Sequence, residues 1–157
     1  MLSLNKKNTN CTNDARRRWL SILAKSNLTD LQRLWDQLSN YPNWTIIKQP
    51  KIGMVMVRGR MGGIGSQFNL GEMTITQCAI RLSNGITGLG YVRGRSKKHA
   101  ELTAVLDAML QSTEFDAEVE DKIVSPLQNI QLTQREEQRR KTQATKVEFL
   151  TLARGNR

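Results

Sequence analysis

Two stretches of this chain hold the residues whose types and spacing suit chemistry. The first, residues 58–72, reads RGRMGGIGSQFNLGE. Glycine lacks a Cβ, so Gly62, Gly63 and Gly65 can take positive φ and bring backbone amides close to a ligand, with the guanidinium groups of Arg58 and Arg60 beside them. That combination suits an oxyanion such as phosphate. The glycines do not form a G-x-G-x-x-G opening a helix, and no Lys-Ser/Thr pair follows them, so a nucleotide loop is not indicated. A glycine-rich connection between strands accounts for the same residues equally well. The second stretch, residues 94–101, reads GRSKKHAE and ends a strand where a helix begins. Arg93, Arg95, Lys97 and Lys98 crowd that helix start, which is a natural place for an anion.

His99, the single histidine, lies one turn before Leu102 on the apolar stripe of that helix, so its ring is expected to point partly inward. The helix dipole and the neighbouring cations disfavour its protonation, and a neutral, hydrogen-bonding imidazole is expected. Glu101 in the same turn suits the dipole and has Arg95 and His99 within reach, while Glu72 is the sole carboxylate of the basic stretch. His99, Glu101 and Glu72 are therefore the candidate catalytic groups. They form no Ser/His/Asp triad, and no Cys/His pair has metal spacing, so no metal is expected and residue types alone do not establish an enzyme.

The chain has 157 residues, 38% of them hydrophobic and 5% aromatic, enough for one modest core. Its formal charge of +10 and isoelectric point near 10.1 favour a polyanion: nucleic acid, a phosphate-rich ligand, an anionic membrane or an acidic protein. Between Lys51 and His99 the cations face one carboxylate, Glu72, so the charge sits in the middle of the chain. Cys11 and Cys78 are far apart in sequence and read as reduced thiols. The first residues, MLSLNKKNTNCTND, carry no apolar signal-peptide core, and no run approaches the ~20 apolar residues of a membrane span. A cytoplasmic protein without a membrane contact is expected.

Residues 1–12 are polar and expected to be flexible, with a first helix opening at Asn13-Asp14 and burying Ala15, Trp19, Ile22 and Leu23. Arg16, Arg17 and Arg18 then fall in its first turn and read as a solvated cluster. A second helix opens at the Thr29/Gln32 capping box with the stripe Leu31, Leu34, Trp35, Leu38. The pair makes a helical hairpin with Trp19 and Trp35 as core anchors. A period near two follows: a short strand at 44–47, a strand at 52–57 that is apolar on both faces and so expected to be central, and a third from Met73 to Leu82 that either bulges near Thr76 or is buried on both sides. Asn84-Gly85 is a hairpin turn leading to a strand through Leu89, Tyr91 and Val92. Ser96 caps the long amphipathic helix that carries Leu102, Val105, Leu106, Met109 and Leu110. An acidic turn at 114–121 and a break at Pro126 precede a polar helix that the Thr133/Glu136 box opens or reinforces, and a last strand is expected at 147–152. The expected fold is therefore α+β: one domain, 13–157, with a mostly antiparallel sheet, an N-terminal helical hairpin, one long central amphipathic helix and a C-terminal helix-strand unit.

Three segments together, RGRMGGIGSQFNLGEMTITQCAIRL, NGITGLGYVRGRSKKHAEL and KVEFLTLARG, resemble the PhnG family, whose members are core components of the bacterial phosphonate carbon-phosphorus lyase system. The resemblance runs from Arg16 to Gly155, and its most specific parts are RMGG, FNLGEMT, the GR-x-K-x-HAE block and the final FLTLARG. Where the family commonly has Asp this chain has Ser96, which keeps a helix cap but removes a carboxylate beside His99 and Arg95. The resemblance implies a non-autonomous subunit of a transferase that works with subunits H, I and J, closest to I, with ATP-binding subunits at the periphery. In that system the adenine of ATP is exchanged for a phosphonate, giving ribose 1-phosphonate 5-triphosphate and free adenine. The I subunit carries the nucleosidase chemistry and the J subunit the radical step. ATP would be a substrate of the complex, and no cofactor is expected on this chain alone. A stand-alone basic nucleic-acid-binding protein is the alternative, although no aromatic-interleaved RNA-binding motif is present.

Overall fold

The computed structural model describes the backbone of residues 4–145 and the side chains of residues 13–145, so the strand expected at 147–152 lies outside the described residues. The chain folds as expected into one α+β domain with an antiparallel sheet of three strands among these residues. The first helix, α1 (Leu4–Lys25), starts ahead of the expected Asn13-Asp14 cap, so Arg16, Arg17 and Arg18 lie within the helix and not in its first turn. Helix α2 (Leu28–Trp35) begins one residue earlier than the Thr29 box predicted. Asn27 is its cap, and Oδ1 accepts from the Thr29 amide at 3.3 Å and the Thr29 hydroxyl at 3.1 Å.

The two short strands expected at 44–47 and 52–57 are one strand, β1 (Trp44–Arg60), kept continuous by register shifts on either side of Lys48. β2 (Gln67–Leu82) absorbs FNLGE, which the sequence placed in a loop, and β3 (Thr87–Arg93) completes the order β1-β2-β3. Among the described residues the centre of the sheet is thus β2, and β1 lies at its edge. The expectation of a central 52–57 strand is not met among the described residues, because an apolar pattern on both faces reports contact surface without saying whether the contact lies in the same chain. No register shift falls at Thr76. Ile75 and Thr76 are both buried instead, the second of the two expected arrangements. The turn after β2 takes positive φ at Gly85 alone, and the Asn84 side chain accepts from the Ile86 amide at 3.1 Å.

Helix α3 (Lys97–Leu110) lies across β2 and β3 and is buried along almost its whole length. Two glycines let it approach. A Cβ at Gly88 would stand 1.9 Å from the Ala104 carbonyl oxygen, and one at Gly90 1.9 Å from that of Ala100. Leu106, Val105 and Met109 of α3 then close a core with Ile80 and Val92 of the sheet, Leu23 and Leu31 of the N-terminal helices, and Ile123 and Leu127 further on. Beyond α3 the acidic segment is helical: α4 (Asp116–Val119), a π-helical turn (Glu120–Val124), and α5 (Ser125–Ala144). Pro126 does not break the chain. It sits in the first turn of α5, where its missing N–H costs little, directly after a turn in which the Ser125 amide reaches back to the Glu120 carbonyl.

Candidate functional site

The paired strands β1 and β2 outrun the rest of the sheet. β3 pairs with residues 75–81 only, so β1 and β2 continue beyond it as a two-stranded arm from Met54 to Thr74. At its tip Gly62 and Gly63 take φ of 57° and 83°, conformations that favour glycine. Gly65 is required for a different reason, since a Cβ there would lie 2.5 Å from the Met61 carbonyl oxygen, which accepts the Gly65 amide at 2.8 Å. The Arg60 guanidinium donates to the Gly65 carbonyl at 3.3 Å and braces the turn. Arg58 is exposed beside it. A shift between Val57 and Arg58 leaves Leu70 without a cross-strand partner, and Glu72 faces Met56 across the ladder.

Where the arm joins the body, Gly94 turns the chain from β3 into α3 with φ of 93°. Its amide donates to the Thr74 carbonyl at 2.9 Å, and its carbonyl accepts from the Thr76 hydroxyl at 2.7 Å. Ser96 caps α3, its hydroxyl accepting from the His99 amide at 3.3 Å. His99 is only 6% exposed. Its Nε2 lies 2.9 Å from the Leu23 carbonyl, to which it donates as a neutral ring, and 3.4 Å from the Ser26 hydroxyl. Burial lowers its pKa below the ordinary value of 6.5, and the hydrogen bond to Leu23 offsets part of that. The ring therefore joins the start of α3 to the end of α1.

A cleft of about 530 Å³ opens beside this junction, lined by Lys25, Ser26, Met73, Tyr91, Arg93 and His99. A neighbouring cleft of about 440 Å³ is lined by Ile52, Met54, Thr74 and Arg95. The base of the arm thus carries Arg93 and Arg95 in apolar surroundings, an arrangement able to hold an oxyanion or a carboxylate. The three candidate catalytic groups are not brought together by any hydrogen bond or ion pair. Glu72 stands on the arm and His99 at the α1–α3 junction. Glu101 acts instead on Cys78, whose pKa is raised first by burial and then by the Glu101 charge.

The sequence reading missed Asp107, which is fully buried in α3. Its carboxylate accepts from Arg16 Nε at 3.1 Å and Nη2 at 2.7 Å, Trp19 Nε1 at 2.9 Å, the Leu89 amide at 2.9 Å and Gln111 Nε2 at 3.2 Å. Arg18 meets Glu120 and donates to Gln128 at 3.2 Å. The arginine cluster read as solvated therefore holds α1 against α3 and the segment leading into α5. A lone charged residue in the otherwise uncharged run 102–110, with three arginines upstream in α1, was the available signal.

Fold and site together define a small α+β protein with a closed body, a protruding basic-apolar arm and no assembled catalytic set among the described residues. Residues 14–155 match the family described as "Phosphonate metabolism protein PhnG", and the chain belongs to that family. It is 38% identical over 143 residues, 89% of either chain, to the alpha-D-ribose 1-methylphosphonate 5-triphosphate synthase subunit PhnG of Rhizobium meliloti (strain 1021).

Proposed function

We propose that this chain is the corresponding subunit of an alpha-D-ribose 1-methylphosphonate 5-triphosphate synthase and acts in phosphonate catabolism in the cytoplasm. The observation that carries this reading is the extent of the match, which spans 89% of both proteins and includes the arm as well as the body. The structure adds support from chemistry: the His99 ring is committed to a carbonyl in its own chain, and neither Glu72 nor Glu101 makes a hydrogen bond or ion pair with it. The chain is a non-autonomous part of the transferase. It works with subunits H, I and J and chiefly supports the I subunit, with ATP-binding subunits at the periphery. ATP is a substrate of the assembly, and Arg95 and Arg93, set in clefts at the base of the arm, are the groups suited to its triphosphate or to the phosphonate.

The test is co-expression with the H, I and J subunits followed by an assay for adenine release from ATP and methylphosphonate. The expected result is co-purification, with adenine formed by the full complex and none by this chain alone. Full turnover by the isolated chain would sink the reading, as would an H–I–J preparation equally active without it.

A further inference from the structure

The arm of residues 54–74 is a two-stranded ribbon roughly 23 Å long at ~3.3 Å per residue, with no further strand on either outer edge among the described residues. An isolated ribbon of this kind is marginal in water. This one also presents apolar side chains to solvent: Ile64 is 96% exposed, Met61 72%, Met54 68% and Leu70 67%, with Met56 and Phe68 also exposed. So dense a patch on a slender element is the mark of a covered surface. Its charges are arranged around it. Arg58 lies behind the tip, and Arg95 and Lys97 stand in clefts at the base, beside Met54 and Ile52. None of these three joins an ion pair among the described residues.

The occupant follows from these two features. A second copy of this chain would bring an equally basic arm against this one, with a formal +10 on each molecule, so self-association is opposed by like charge. Nucleic acid would meet the arginines but leave the methionines and Ile64 in water. We propose that the arm docks a different protein subunit, with Ile64 and Met61 seated in an apolar socket and Arg58 and Lys97 facing carboxylates on its rim. This is the arrangement of a desolvated centre inside a charged border. It rests on the reading of the chain as a complex subunit and goes beyond it by assigning the docking element and the chemistry of the surface that receives it.

The test places a photo-crosslinking benzoylphenylalanine at position 64 of the full chain, co-expressed with the H, I and J subunits. Assembly is checked first by gel filtration. If no complex forms, the subunit reading fails and this inference fails with it. If the complex forms, illumination is expected to join position 64 to a segment of another subunit in which apolar residues are flanked by more Asp and Glu than Lys and Arg. A crosslink to a second copy of this chain, a crosslink to RNA, or an intact complex with no crosslink overturns the docking proposal while leaving the subunit reading standing. In parallel, Met61→Asp with Ile64→Asp should lower recovery of the other subunits at least tenfold with the thermal midpoint of the isolated chain unchanged. Ile64→Leu should retain them. Undiminished recovery from the double variant overturns the proposal.

Discussion

The body and the arm of this molecule are built from the same residue types and treat them in opposite ways. In the body, α3 presses on β2 and β3 closely enough that Gly88 and Gly90 have no room for a methyl group, and Ile80, Val92 and Leu106 lose all contact with water. Even its buried charge is matched: Asp107 receives donors from α1, β3 and its own helix. In the arm, Met54, Met61, Ile64 and Leu70 face solvent, and the internal polar bonds of the tip are those that shape the turn. A chain that buries and pairs most of one part of itself and leaves the other bare has divided its work, folding with the first and engaging a partner with the second.

The sharpest way to break this contrast is at Asp107. Replacing it with Ala strips the Arg16 guanidinium, the Trp19 indole and the Leu89 amide of their acceptor at once. Chemical denaturation should show a loss of about 3–5 kcal/mol, as for one partner removed from a buried pair. Next, Leu106→Ala in the core should cost about 2–5 kcal/mol, whereas Leu70→Ala on the arm should change stability by no more than about 0.5 kcal/mol. Equal costs would erase the distinction. Alanine at Gly90 drives a methyl into the Ala100 carbonyl and should cost about 1–3 kcal/mol, while Gly53→Ala meets no atom within 4 Å and should be nearly neutral.

The smallest expected effect concerns pH. Because His99 titrates below its ordinary 6.5 in the folded chain, the unfolded chain binds the proton first as the solution is acidified. Its contribution to stability is complete above pH 6.5 and is lost as pH falls from there to its lowered folded pKa, below which that slope ends. Comparing denaturation between about pH 7 and pH 5 for the wild type and His99→Asn should show a shallower decline in the variant. Retained activity of His99→Asn in the assembled complex would accord with a latch between α1 and α3, and its loss with folding intact would make the ring part of the chemistry.

Much of the body was legible in the sequence because its determinants are local. Ser96 ahead of the Leu102 to Leu110 stripe, Asn84-Gly85 between two β-patterned runs, and the apolar spacing in α2 each encode their element within a few residues. Pro126 misled because its local meaning is double: it ends helices but also opens them, and the π-helical turn before it decides which. The role of Asp107 was missed because its partners at positions 16, 19 and 89 are distant in sequence, and a lone acidic residue in an apolar run does not name them. The arm was misplaced for a deeper reason. Residues 52–57 are apolar on both faces as a central strand would be, and sequence alone does not say whether a face is covered by its own chain or by another.

Hydrogen exchange measured by mass spectrometry on the chain alone and within the assembled synthase tests this division most directly. Amides of residues 54–74 are expected to exchange rapidly in the free chain and to become strongly protected in the complex, while those of 97–110 are protected equally in both. An arm that exchanges at the same rate free and assembled, or is already protected in the free chain, would contradict the division between body and arm.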